Sequence, residues 1–152
     1  MDLKFRKALA ADVDAVHRIT ARAYSVWIPV LGAPPLPMTD DHTPRVARGE
    51  VLLACDAEQV LGLIAVEPEA DHDLIFNVAV DPHHAGKGIG PRLIGEVERR
   101  AKAAGKSGVR LYTNVLMEKN IALYLKLGYA ELGRRPNPAR RGFTIVDMIK
   151  HL

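Results

Sequence analysis

The chain has 152 residues, of which 48% are hydrophobic and 26% charged, an ordinary globular mixture that fits one domain with one core. Its net charge of +3 tilts mildly toward anionic ligands and falls well short of a nucleic-acid-binding signature. A single cysteine, Cys55, excludes an internal disulfide, and no apolar run approaches the roughly 20 residues that span a bilayer. The opening stretch MDLKFRKALAADVD carries acids and lacks an apolar signal core. That argues against secretion and makes the cytoplasm the expected compartment.

Leu3–Leu9 alternates apolar and basic residues and is expected to form a first strand. Asp12 is placed to cap a helix over residues 13–27, with Val13, Val16, Thr20, Ala23 and Trp27 along one side. IPVLGAPPLPMTDD then packs four prolines into residues 29–37. Helix is not expected to continue through them, and a semi-rigid loop is. A short helix is expected over Asp40–Arg48, closed by Gly49. VLLACD and QVLGLIAVE form a hairpin about Ala57–Glu58, and Cys55 is a small buried hydrophobe within it. Asp73–Val80 (DLIFNVAV) is so apolar at its centre that burial on both faces is expected.

A helix to about Ala104 follows, with Leu93, Ile94, Val97, Ala101 and Ala104 as its buried stripe. Arg92–Glu96, Glu96–Arg100 and Glu98–Lys102 are opposite-charge pairs four apart on the other side. VRLYTNV is a strand, EKNIALYLKL a short helix ended by Gly128, and YAELGRR and FTIVDMI a closing strand pair. The order is β-α-α-β-β-β-α-β-α-β-β. The strand–helix–strand unit should make residues 73–80 and 109–115 parallel neighbours.

Between strand and helix, Gly86, Gly88 and Gly90 occupy alternate positions. A helix N-terminus exposes unpaired N–H groups and the positive end of its dipole. A glycine-rich approach lets a phosphate reach those groups without Cβ interference. Lys87 adds charge, and Pro91 fits the first turn, where its missing N–H breaks no helical bond. Neither GxxxxGK[ST] nor GxGxxG is present, so a pyrophosphate-bearing ligand on a different fold is expected. His83–His84 has no third ligand at metal spacing, and no metal is expected.

VAVDPHHAGKGIGPRLIGEVE (residues 78–98) resembles motif A of the GCN5-related N-acetyltransferases (GNAT). NIALYLKLGYAELG (residues 120–133) resembles a second motif of that family, and the two stand in the family's order about 30 residues apart. The resemblance implies the GNAT acyl-CoA N-acyltransferase fold over residues 1–152. This is an α/β architecture with a mixed, mainly antiparallel central sheet, a parallel splayed strand pair, and flanking helices. It further implies acetyl-CoA as the cofactor, with coenzyme A's pantetheine on the backbone of Val78, Ala79 and Val80. The pyrophosphate then lies on the amides of Ala85, Gly86, Lys87, Gly88, Ile89 and Gly90. Two departures stand out: Ala85 replaces the usual Arg or Gln, and Pro91 offers no N–H. Both are expected to weaken cofactor affinity without abolishing it.

Acetyl transfer needs a neutral amine, donors for the oxyanion and a proton for the departing thiolate. Asn120 and Tyr124 are four apart on one helix and point the same way. The resemblance gives Tyr124 the general-acid role and Asn120 a cofactor contact; by periodicity alone, Tyr124 packing beside Leu125 and Ile121 stays open. The base is not legible. Asp71, His72 and Asp73 precede the central strand, and His72 is the candidate that takes a proton directly or through water. The acceptor side is expected to draw on Tyr24 and Trp27, with Asn77 from the central strand. Trp27 reads equally as core. Asp40 or Asp41 would suit a cationic amine, and Phe143 and Asp147 are further candidates. The expected acceptor is a small-molecule or peptide primary amine, with no nucleic acid or membrane partner; a homodimer is common in the family. A coenzyme A-binding sensor of the same fold without catalysis is the alternative.

Overall fold

The computed structural model describes residues 1–152. Seven strands make one sheet: β1 (Leu3–Lys7), β2 (Val51–Asp56), β3 (Gln59–Pro68), β4 (His72–Val80), β5 (Gly108–Asn114), β6 (Ala130–Pro136) and β7 (Thr144–His151). Their order is β1-β2-β3-β4-β5-β7-β6. Every neighbouring pair is antiparallel except β4 and β5, which run parallel, as the intervening helix requires. The helices are α1 (Val13–Tyr24), α2 (Ile28–Leu31), α3 (Leu36–Thr39), α4 (Thr43–Ala47), α5 (Ile89–Ala103) and α6 (Glu118–Lys126).

The sheet separates two apolar clusters. On one face Leu93, Ile94, Val97 and Ala101 of α5 and Tyr124 of α6 pack against Ile64, Ile75 and Leu111. On the other, Val16 and Ile19 of α1 and Val46 of α4 meet Leu53, Leu63 and Ala79. Helical spacing reads the buried stripe of α5 correctly, except that Ala104 lies past the end of α5 and is exposed. In α1 it finds Val16 and Thr20 but misses the buried Ile19; Val13 and Ala23 are half-buried, and the helix ends at Tyr24, before Trp27. Cys55 is buried, as expected. No helix is long and apolar enough to cross a membrane.

Local expectations fail where side chains choose other partners. Asp12 does not cap α1; its carboxylate turns back to the Leu9 amide at 2.7 Å and to Arg6 at 2.8 Å. The proline-rich stretch is not all loop. Pro29 and Pro37 sit in the first turns of α2 and α3, where a missing N–H costs nothing. Along α5, Glu96 does pair with Arg100 at 2.9 Å, but also with Arg99 at 2.6 Å. Glu98 leaves the helix face altogether for Lys150 and Tyr129. β4 is not buried on both faces: burial alternates from Ile75 to Val80, because the strand borders a cleft.

Candidate functional site

β4 and β5 pair only from His72↔Gly108 to Ile75↔Leu111. Beyond that point β4 continues to Val80 and β5 to Asn114 without pairing, so the sheet splits. The split begins at a β-bulge. Opposite β3 the register passes from Ala65↔Asn77 to Val66↔Ile75, leaving Phe76 as the extra residue. A bulge bends its strand and increases local twist, which turns β4 away from β5. It also puts Phe76 and Asn77 toward the same side: Phe76 packs on the α1-side cluster, and Asn77 Nδ2 donates to Thr20 of α1 at 3.3 Å.

The split opens a cavity of about 280 Å³. Its walls are Ile75–Val78 of β4, Leu111–Asn114 of β5, Tyr24 of α1, Asn120 and Tyr124 of α6, the segment Pro35–Pro37, and residues 137–140 between β6 and β7. Tyr24 donates its hydroxyl to the Val78 carbonyl at 3.2 Å, so one acceptor on the free edge of β4 already has a partner. Burial first, and then the nearby Tyr124, raise the Tyr24 hydroxyl well above the ordinary phenol range. Tyr124 is 7% exposed. Its ring meets Tyr129 edge-on with centroids 6.2 Å apart, and burial alone pushes its hydroxyl up to about 12.

At the end of β4, Asp81 accepts from the His83 amide at 3.0 Å and shapes the turn into the glycine loop. Gly86 and Gly88 have φ of +78° and +76°, a region strained for any residue with a Cβ. A Cβ added at either would meet no protein atom within 4 Å; it would project into open space at the N-terminus of α5. Ala85 spends its amide on the Pro82 carbonyl at 3.3 Å, but no backbone carbonyl accepts from the amides of Gly86, Lys87, Gly88, Ile89 or Gly90. Five free donors lie at the positive end of a 15-residue helix, an arrangement that suits an anion such as a phosphate group. The residues present therefore fit a diphosphate-bearing cofactor, with the loss of Ala85 from the donor series. His84 turns to Lys87, with Nδ1 and Nζ 3.2 Å apart, so the two adjacent histidines do not act together.

Of the residues expected at the site, the cleft brings together Tyr24, Asn77, Val78, Asn120 and Tyr124. His72 is not among them. It sits where β4 and β5 are still paired, with Nε2 2.8 Å from Glu69 and 3.5 Å from Arg110. At about 3.3 Å per strand residue, Val78 lies roughly 20 Å further on. Asp71 and Asp73 stay at that closed end with Ser107 and Lys106. Trp27 is half-buried outside the lining. Asp41 bonds to Thr43 and Asp40 lies 3.8 Å from Arg45, so neither faces the cavity. Asp147 holds Arg135 through two bonds of 2.7 and 3.2 Å. The sequence reading missed Phe76, Tyr112, Arg135 and Arg140 as wall residues. No local pattern marks them, since the β4 bulge, β5, β6 and the β6–β7 connection bring them together from separate segments. The lining contains no His, Asp, Glu or Lys.

Comparison with known proteins adds a family. The acetyltransferase (GNAT) domain matches residues 47–131, from α4 through the glycine loop and α6 into β6. An IAA acetyltransferase of Azospirillum brasilense is 39% identical over 72 residues, which is 47% of this chain and 47% of that protein. The match thus spans about half the length of the curated relative. The crystal structure of the PaiA N-acetyltransferase of Thermoplasma acidophilum, in complex with coenzyme A, superposes with a TM-score of 0.80 at 17% identity over 100% of both chains. The ribosomal-protein-S18-alanine N-acetyltransferase of Escherichia coli gives a TM-score of 0.75 at 20% identity, covering 98% of this chain and 93% of that one. At these identities the two structures establish the fold that the motif order predicts.

Proposed function

The chain belongs to the GNAT acetyltransferase family, and on that premise we propose that it transfers the acetyl group of acetyl-coenzyme A to a primary amine of a small molecule or peptide, by direct attack and with Tyr124 as general acid. The observation that carries this reading is the edge of Phe76–Val80, unpaired by β5 and leading to five unbonded amides at Gly86–Gly90. Acetyl-coenzyme A supplies an acyl thioester already activated toward amines. The Gly86–Gly90 amides would take its diphosphate, and the backbone of Val78–Val80 its pantetheine amides, with Tyr24 sharing or yielding the Val78 carbonyl. Asn120, on the cleft wall one turn from Tyr124, would add a side-chain contact.

Tyr124 remains protonated across the neutral range, because burial holds its hydroxyl up to about 12. It is therefore always available to donate. An ordinary thiol titrates near 8.5, so complete transfer from this phenol to a thiolate runs uphill by roughly 5 kcal/mol. Tyr124 then acts as general acid by hydrogen-bonding the sulfur as charge develops, and a proton that it passes to the sulfur is replaced from solvent. With no titratable base in the lining, the acceptor amine loses its proton to water. Asn77 spends its Nδ2 on Thr20, so it contributes wall and backbone to the acceptor side.

A coenzyme A-binding sensor of the same fold is the second reading, and the missing base favours it. Free-thiol release from acetyl-CoA across an amine panel separates the two. Amine-dependent release supports transfer. Tight coenzyme A binding with no release from any amine supports the sensor, and no binding at all rejects both.

A further inference from the structure

The charge on the cavity wall narrows the acceptor. Among the lining residues the side chains ionised at neutral pH are Arg135 and Arg140, and no carboxylate faces them within the cavity. Arg135 is neutralised by its two bonds to Asp147 and lies 5.8 Å over the Tyr112 ring. Arg140 has no carboxylate partner. Its guanidinium donates to the Pro34 carbonyl, which fastens the 137–143 connection against the proline-rich segment. That connection is ordered by its own bonds, Asn137 amide to Phe143 carbonyl at 2.8 Å and Ala139 amide to Asn137 Oδ1 at 2.9 Å. So an unneutralised, half-buried cation is held in place at the acceptor end of the cleft.

We propose that the acceptor is an amine that also carries a carboxylate, as an amino acid does, and that Arg140 binds this carboxylate. The proposal rests on the acetyl-transfer reading above. A guanidinium presents a planar fork of donors that matches a carboxylate in two-point geometry. With no carboxylate opposite it, the guanidinium's charge favours an anion and repels a second cation. Phe76 and Tyr112, ring centroids 6.4 Å apart, give the rest of the acceptor an apolar wall. Asp40, Glu50 and Glu67 stand outside the lining and gather on Arg45 at 3.8, 3.9 and 2.7 Å. Arg45 itself covers Phe76, 3.7 Å from the ring centroid. Were these acids to govern the site, a polyamine would be the preferred acceptor.

The test measures kcat/KM by thiol release for apolar amino acids, their carboxamides and an aliphatic diamine, with wild type, Arg140→Gln and Arg140→Lys. Wild type should favour the amino acid over its carboxamide at least tenfold, mainly through KM. Arg140→Gln should bring that ratio near one, and Arg140→Lys should restore part of it. Calorimetric binding of N-acetyl amino acids against their carboxamides reads the same selectivity without turnover, and coenzyme A binding to each variant reports folding. Tenfold tighter carboxylate binding that is lost in Arg140→Gln supports the proposal even if no amine is acetylated, in which case only the transfer reading fails. A ratio near one in wild type, a preference for the diamine, or selectivity unchanged in Arg140→Gln would overturn it.

Discussion

Tyr124 illustrates how burial decides what a side chain can do. A phenol held up to about 12 is a poor source of a free proton and a dependable hydrogen-bond donor. Tyr124→Phe keeps the ring packing against Tyr129 and deletes only the donor. It should lower kcat about 10²-fold, within the range of a positioned acid, and change the coenzyme A dissociation constant by no more than about twofold, read by steady-state kinetics and calorimetry. Equal kcat in the two proteins would remove Tyr124 from the chemistry. A second expectation concerns pH. With no His, Asp, Glu or Lys in the lining, kcat/KM should rise with pH toward the acceptor amine's own pKa and show no inflection near 6.5. His72→Ala should leave that profile unchanged; a lost limb near 6.5 in this variant would put His72 back in the reaction. The four-residue spacing placed Tyr124 and Asn120 on one side of α6, and the family motif rather than the spacing singled them out for the cleft they line. His72 was misread because adjacency to a strand says nothing about which end of that strand opens.

At the scale of the element, the turn into α5 carries the account. Gly88 at φ +76° precedes the helix, and a Cβ there would meet no protein atom. Gly88→Ala should therefore cost about 1 kcal/mol through backbone strain alone, a melting shift of roughly 2–4 °C for a chain of this size. It should weaken coenzyme A binding by at least tenfold because the methyl group enters the phosphate cradle; unaltered affinity would move the diphosphate elsewhere. On the other side of α5, hydrogen bonds from Arg99, then Arg100, hold the Glu96 carboxyl at about 2, below its ordinary 4.5. A depressed carboxyl stabilises the fold above the ordinary value and loses that contribution as pH falls toward 2. Glu96→Gln should flatten the decline in stability below pH 4.5 in acid denaturation, by about 1 kcal/mol or less, since Arg99 and Arg100 are 66% and 42% exposed. A decline as steep as wild type's would show the pair to be inert. The glycine loop and the stripe of α5 could be read from sequence because both are local patterns. The turns at Pro29 and Pro37 could not, because proline forbids a helix interior and also favours a helix start, and only the surrounding packing decides between them.

Across the whole molecule, one sheet separates two apolar clusters and then splits, so that the cleft borders both. The order of elements was legible because the two motifs and the hydrophobic periodicities fall in sequence. The cleft's chemistry was not, because its walls are assembled over long separations. Arg140 reaches Pro34 across 106 positions of chain, and Phe76 enters through a bulge that shows only in the register against β3. The central claim is that the unpaired edge of β4 and the five free amides of the loop receive one ligand together. Titrating coenzyme A into ¹⁵N-labelled protein and following the amide resonances tests it most directly. The account predicts that Gly86, Lys87, Gly88, Ile89 and Gly90 shift along one saturation curve with Val78–Val80. Saturable binding that leaves those loop resonances in place, or no binding at all, would contradict it.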